Sequence, residues 1–286
     1  MADIVVLGSV ARDEIVKLHE PLREGTHLSG AWRGPRLGGG AACTGVPLVR
    51  AGHHVTIVGS IGQDELGRDL MAALVESGLD TSQMRPVDQS STRSIILVDG
   101  DGERTVINVM RSHEEEPPRR LLDLQADCVY VRSRRRDLAP LLREKAESSL
   151  LIAHVPPSMS GARPAHILVA SASDVTGELL ADPWAAGKEV GGDLLQWMIV
   201  THGADGVAAY AEDQVLRVPA QPVVPIDTTG AGDSFAAGLV HALMSGATMP
   251  DALETAVAWG AEATQYESSI LPEAAIAQLL SSGRAS

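Results

Sequence analysis

The chain of 286 residues is 44% hydrophobic and 21% charged, enough apolar material for one large core or two small ones, so disorder is excluded as the default. Its formal net charge of −14 opposes the phosphate attraction on which nucleic-acid affinity rests, and no nucleic-acid partner is expected. The longest apolar runs, residues 4–7 and 150–155, fall far short of the roughly 20 residues a membrane-spanning helix needs, so no membrane partner is expected either.

Cys43 and Cys128 are the only cysteines, which excludes a disulfide scaffold. Together with Asp3 standing where a secretory signal would carry basic residues, this gives the expectation of a cytoplasmic protein. Aromatic residues make up 3% and Phe235 is the sole Phe, so the core must be built from Leu, Val, Ile and Ala.

Taken in chain order, residues 4–7 open a series of short β-branched runs that continues at 55–58 and 167–170, with Gly- and Ala-rich helical stretches between them. That alternation predicts a parallel α/β sheet. The turn Gly38-Gly39-Gly40 leads into a helix that Pro47 should start late or kink. Leu66, Leu70, Ala73 and Leu74 recur at helical spacing and Gly78 follows as a stop, which predicts a core-facing helix. Residues 94–98 and 104–109 break the rhythm. They flank Asp99-Gly100-Asp101-Gly102, a hairpin signal that predicts an antiparallel flap, either a lid over a ligand site or a plain edge extension. Further strands are predicted at 128–131, 151–155 and 198–201, before a hairpin within 206–218. The basic run Arg132-Ser133-Arg134-Arg135-Arg136 reads as a solvated helix start. No repeat or linker interrupts the chain, so residues 1–286 are expected to form one domain with a small lid.

The segment richest in chemistry is Asp227-Thr228-Thr229-Gly230-Ala231-Gly232-Asp233-Ser234-Phe235. An extended stretch precedes it, and Phe235, Leu239 and Leu243 fall on one helical face after it, so a glycine-rich turn feeds a helix N-terminus. Free backbone N–H groups and the positive dipole end bind anions there, and Gly230 and Gly232 allow close approach. Asp233 sits beside that anion site as a carboxylate suited to deprotonating a hydroxyl that attacks a phosphoryl group. By themselves these residues serve equally well as a helix cap after a turn. Other phosphate motifs are missing. Gly187-Lys188 is followed by Glu189, which rules out a Walker A loop, and Gly8-Ser9-Val10-Ala11-Arg12-Asp13 lacks the second and third glycines of a dinucleotide fingerprint. His113-Glu114-Glu115-Glu116 lacks the second His of a zinc-protease motif.

Residues 227–239 resemble the C-terminal signature of the ribokinase/PfkB carbohydrate kinases. Leu37-Gly38-Gly39-Gly40-Ala41-Ala42 with Gly52, followed by residues 58–67, resembles the N-terminal one. With Asp13 after the first strand and a hairpin where that family keeps its lid, the resemblance covers nearly the whole chain. It implies a ribokinase-like α/β fold: a three-layer sandwich with a mostly parallel central sheet, helices on both faces and lid segments at about 14–36 and 92–110. The implied reaction is transfer of the γ-phosphoryl group of ATP to a hydroxyl of a sugar or sugar derivative, with Mg2+ and K+ as expected ions and a homodimer as the expected assembly.

Residue by residue, the resemblance makes Asp233 the general base and Gly230, Ala231 and Gly232 the anion hole. It gives Asp13, Gly38, Gly39 and Cys43 to the acceptor, and Ser171, Asp174, Thr201, Gly203 and Gly206 to the nucleotide. Asp227 and the Thr229 carbonyl fall to a monovalent cation. There are departures. Cys43 and Ala11 replace polar acceptor-site residues, so hydrogen bonds to at least two sugar positions are missing and ribose itself is disfavoured. Ser171-Ala172-Ser173-Asp174 stands for the family's Asn-x-x-Glu, keeping oxygen donors for a hard cation on shorter side chains. Arg132 or Arg134 stands near the place of an acidic residue found in some members, where a guanidinium would suit an acidic or phosphorylated acceptor. The alternatives are a nucleoside kinase of the same family, for which Trp32 is the aromatic candidate, and a binding regulator that has lost catalysis.

Overall fold

Strand β1 (Asp3–Leu7) has both faces covered: Ile4 and Val6 enter one apolar core, Val5 and Leu7 the other. A strand buried on both sides belongs at the centre of a parallel sheet. The computed structural model describes residues 1–100, 102–155, 161–175 and 177–282. In it, β1 leads to β2 (Ala11–Leu18), β3 (Gly30–Gly38), α1 (Gly40–Arg50), β4 (His54–Gly62), α2 (Glu65–Glu76), β5 (Met84–Val87), β6 (Arg93–Val98) and β7 (Arg104–Met110). The second half comprises β8 (Cys128–Val131), α3 (Ala139–Lys145), β9 (Leu150–His154), β10 (Ile167–Ser171), α4 (Gly177–Ala181), α5 (Pro183–Gly191), β11 (Trp197–Thr201), β12 (Val207–Tyr210) and β13 (Val215–Val218). It ends in α6 (Ala231–Met244), α7 (Met249–Ala263) and α8 (Glu273–Ser282).

Nine strands form the main sheet in the order β13-β12-β11-β10-β9-β8-β1-β4-β5. All pairings are parallel except those of the β12–β13 hairpin, which closes one edge antiparallel. One core lies under α1, α2, α6, α7 and α8, the other under α3 and α5. The predicted strands and the 206–218 hairpin are therefore present, and α2 starts on Asp64, whose side chain accepts from the Gly67 amide at 2.8 Å, and stops before Gly78 at φ +79°.

A second sheet of four strands, β3-β2-β6-β7, stands off this scaffold. The expected β6–β7 hairpin is one half of it, and β2, parallel to β6, joins it to β3. Asp101 of the hairpin turn lies outside the described residues.

Two readings of the sequence are corrected. Helix α1 is neither delayed nor broken by Pro47: positive φ at Gly39 makes the turn at once, and every residue from Ala41 to Leu48 is buried, so packing outweighs the single amide that proline lacks. The run at 132–136 is not a helix start but a connector between β8 and α3, and Arg132 turns inward from it.

Candidate active site

The central cavity, about 1190 Å3, opens between the C-terminal ends of the parallel strands and the four-stranded sheet. Ligands gather at this end of an open α/β sheet because successive connections leave a crevice there. Of the residues expected from the sequence, Asp13, Gly39, Cys43, Asp174, Thr229, Gly230 and Asp233 line it together.

Gly230 caps α6 in the left-handed conformation, φ +80°, and a Cβ there would run into the Ser269 carbonyl. Any other residue would be strained twice over. At Gly232 a Cβ would meet nothing within 4 Å, so its absence leaves the space above the first turn of α6 open. A helix N-terminus with an approach clear of side chains, and the Thr229 hydroxyl, buried and without a partner among the described residues, fit a phosphoryl group. Ala231 and Gly232 begin α6 itself.

Asp233 stands in the first turn of α6, its side chain 14% exposed, and its Oδ1 accepts from Arg132 Nε at 2.8 Å. Across the floor, Asp13 of β2 is buried; a Cβ on Gly38 would collide with its carboxylate. Burial, and after it the charge of Asp233, pushes the Asp13 pKa up to about 6, against the Ser94 hydrogen bond and the Arg36 charge that favour ionisation. Cys43 is buried on α1 between the two acids, and burial, then Asp233 and Asp13, hold its thiol far above the usual range. It is thus a neutral group in the cavity wall.

Ser171 ends β10 in register with Thr201 at the end of β11, and its Oγ lies 2.8 Å from Ser173 Oγ. Ser173 and Asp174 reach the cavity, and together these three residues offer the oxygen donors that Mg2+ takes. Thr201, Gly203 and Gly206 do not line the cavity; they form the neighbouring turn, closed by the His202 amide donating to the Gly206 carbonyl at 2.8 Å. At Asp227 the residues do not fit a monovalent cation: Oδ1 accepts from the Thr229 amide at 2.9 Å and Oδ2 from Arg36 Nη1 at 2.7 Å, so a guanidinium already stands on the carboxylate.

Sequence reasoning missed several residues. Arg36, which pairs with Asp227, belongs to no motif of the sequence. Arg104 of β7 donates to the Thr228 carbonyl at 3.2 Å, while Thr228 N–H and Oγ1–H donate to the Gly102 carbonyl at 3.0 and 2.9 Å, so the hairpin tip docks on the anion-hole turn. Arg163, 1% exposed, donates to the Ser133 and Arg135 carbonyls at 2.8 and 2.9 Å and shapes the basic connector; burial and the nearby Arg132 charge lower its pKa to about 10. Arg132, which the sequence offers as an alternative to Arg134, is placed by a glycine. A Cβ on Gly40, the third glycine of its run, would occupy the place of the Arg132 side chain.

The chain matches the family model "pfkB family carbohydrate kinase" over residues 1–152 and 165–275. It is 31% identical over 246 residues to an ATP-dependent ribose-1-phosphate kinase of Halopiger xanaduensis, covering 80% of this chain and 81% of that one. It is 27% identical over 272 residues to a ribokinase of Bacillus subtilis, covering 90% of each. Among solved structures, a Burkholderia thailandensis nucleoside kinase in complex with inosine superposes with a TM-score of 0.76 at 19% identity, over 97% of both chains, which shows the ribokinase-like fold. No helix among the described residues is long and apolar enough to cross a membrane. The chain belongs to the pfkB family of carbohydrate kinases, ATP-dependent enzymes that phosphorylate a hydroxyl of a sugar or nucleoside acceptor.

Proposed function

We propose that this kinase phosphorylates a hydroxyl of a sugar acceptor held between Asp13 and Asp233, with Asp233 as the general base. The observation that carries this reading is the placement of the Asp233 carboxylate in the first turn of α6, at the helix N-terminus that Gly230 caps and Gly232 leaves clear of side chains, and in one cavity with Asp13. Asp13 accepts from acceptor hydroxyls and orients them. Asp233 takes the proton of the attacking hydroxyl as its oxygen bonds to phosphorus, and the α6 amides stabilise the charge on the transferred group. Mg2+ held by Ser171, Ser173 and Asp174 would offset phosphate charge. The turn at Thr201, Gly203 and Gly206 would seat the rest of the nucleotide. Lid segments at about 14–36 and 92–110, docked through Gly102 and Thr228, would keep water from the reaction.

A sugar is favoured over a nucleoside because Trp32, the aromatic candidate for stacking a base, is 67% exposed and outside the cavity wall. The exposed Val106, Ile107, Val109 and Met110 of β7 fit pairing of two lids in a homodimer, and the buried free thiols of Cys43 and Cys128 fit a reducing cytoplasm. The test is ADP formation from ATP and Mg2+ with a panel of sugars, sugar phosphates, sugar acids and nucleosides. Acceptor-dependent release should fall by about 10²–10⁴-fold in Asp233→Asn. Release that survives this substitution would remove Asp233 as base.

A further inference from the structure

Three guanidiniums meet on the acceptor side of the cavity. Arg132 gives its Nε to Asp233, and its two Nη groups donate to no acceptor among the described residues. Arg134, on the same connector, and Arg111, just beyond β7, both line the cavity and pair with no carboxylate among the described residues. Desolvation first, and after it neighbouring arginine charge, lower the pKa of both. Asp174 is near enough to ease Arg132 and Arg134 but makes no ion pair with either. Of the other cavity acids, Glu114 and Asp137 are taken by Arg120 and Arg135, and Asp13, Glu103 and Glu115 make no ion pair with any of the three arginines.

The arrangement is built rather than incidental. Arg163 fixes the connector through two of its carbonyls, Gly40 leaves the room that the Arg132 stem fills, and Arg135 ties the connector to the Glu114 and Glu115 carbonyls. Only one of the three guanidiniums contacts a carboxylate among the described residues, so the N–H donors of Arg134 and most of those of Arg111 and Arg132 stay available, and guanidinium forks match the oxygens of a phosphate monoester. The position favours the acceptor over the nucleotide. Arg132 follows β8, beside β1 and the lid, whereas the Thr201–Gly206 turn follows β11, three strands away, or about 14 Å at the usual strand spacing.

We propose that Arg111, Arg132 and Arg134 form a subsite for a phosphate group already carried by the acceptor, and that Arg132 joins this subsite to Asp233, so that seating the phosphate also positions the base. The substrate is then a sugar monophosphate and the product a bisphosphate. This rests on the kinase reading above and adds the acceptor class to it. Arg132 is a positioning residue for Asp233; Arg111 and Arg134 act on the acceptor alone.

The test compares D-ribose with ribose 1-phosphate and ribose 5-phosphate in the ADP assay, and measures binding of the two phosphates by calorimetry without ATP. One of the phosphorylated sugars should exceed D-ribose in kcat/KM by about 100-fold or more, since a site built for a charged group rejects the analogue lacking it. Arg111→Ala and Arg134→Ala, at exposed positions that spare the core, should raise the acceptor KM about tenfold each while leaving kcat and the ATP KM in place. Arg132→Ala should lower kcat as well, with partial recovery in Arg132→Lys, and Gly40→Ala should reproduce the loss with the charge still present. Preference for D-ribose, or a rise in the ATP KM alone, would overturn the proposal, the latter by assigning the arginines to the nucleotide phosphates. Calorimetric binding that is lost in Arg134→Ala, without turnover of any acceptor, would uphold the subsite and overturn the kinase reading instead. Absence of binding and of turnover on both phosphates would overturn the subsite.

Discussion

Arg36 of β3 donates to the Asp227 carboxylate at 2.7 Å across 191 residues of sequence, and the acceptor is 3% exposed in its side chain. The pair links the base of the lid to the turn that opens α6. Removing one partner of a buried pair leaves the other uncompensated, so Arg36→Ala should cost about 3–5 kcal/mol of stability. Because the guanidinium supplies the charge that a monovalent cation would bring, activity of the unaltered enzyme should be the same in potassium and in choline chloride. In Arg36→Ala, KCl should restore part of the lost stability and rate. Melting curves and initial rates in the two salts decide this; strong K+ activation of the unaltered enzyme would contradict it.

Asp13 carries a cost that function explains. Burial pushes its carboxyl from the ordinary 3.8 up to about 6, so between these values the native state holds a proton that the unfolded chain has lost. Stability therefore falls as pH rises from about 4 to 6, by about 2–3 kcal/mol, and stays reduced above that. Asp13→Asn should melt higher at pH 8 and lose that advantage near pH 4. Acceptor KM in the unaltered enzyme should rise as pH falls below 6, because a protonated Asp13 accepts fewer hydroxyl hydrogens. A pH-independent KM would remove Asp13 from acceptor binding.

His53 and His241 form a second titrating unit, away from the cavity. The Ala2 amide donates to His53 Nδ1 at 3.3 Å, so His53 carries its hydrogen on Nε2 and donates it to His241 Nδ1 at 2.9 Å; His241 in turn stacks on Trp259. Burial, then the His241 charge, lowers the His53 pKa from 6.5 to about 4. The unfolded chain binds the proton first, so stability is lost as pH falls from 6.5 to 4, by about 3 kcal/mol. His53→Gln should flatten the slope of melting temperature against pH in that window. An unchanged slope would assign the acid sensitivity elsewhere.

Helix α6 holds Asp233 in place through its contact with α7. A Cβ on Gly238 would stand 2.9 Å from Trp259 Cγ, and Trp259 is 2% exposed. Gly238→Ala should cost about 1–3 kcal/mol by overpacking, and Trp259→Ala about 3–5 kcal/mol by leaving a cavity. Denaturant titration measures both, and a neutral Gly238→Ala would mean that the two helices part without penalty.

The sequence alone determined the rhythm of strands and helices, the hairpin, and the glycine-rich turn that sets Asp233 in the first turn of α6, while Asp13 entered only through the family resemblance. Those features are local: a period of hydrophobicity, a glycine where φ must be positive, a carboxylate one turn into a helix. It also gave grounds to look near Arg132 or Arg134 without choosing between them. Tertiary structure decided which arginine does what. Within residues 132–136 the four arginines are chemically alike, and only the gap at Gly40, the carbonyl contacts of Arg163 and the position of Asp233, 101 residues away, turn Arg132 inward and leave Arg136 in solvent. The Arg36–Asp227 pair, at the place expected for a cation, and the His53–His241 pair were invisible for the same reason. A charge or ring finds its partner through the packing of distant elements, and no spacing along the chain records that distance.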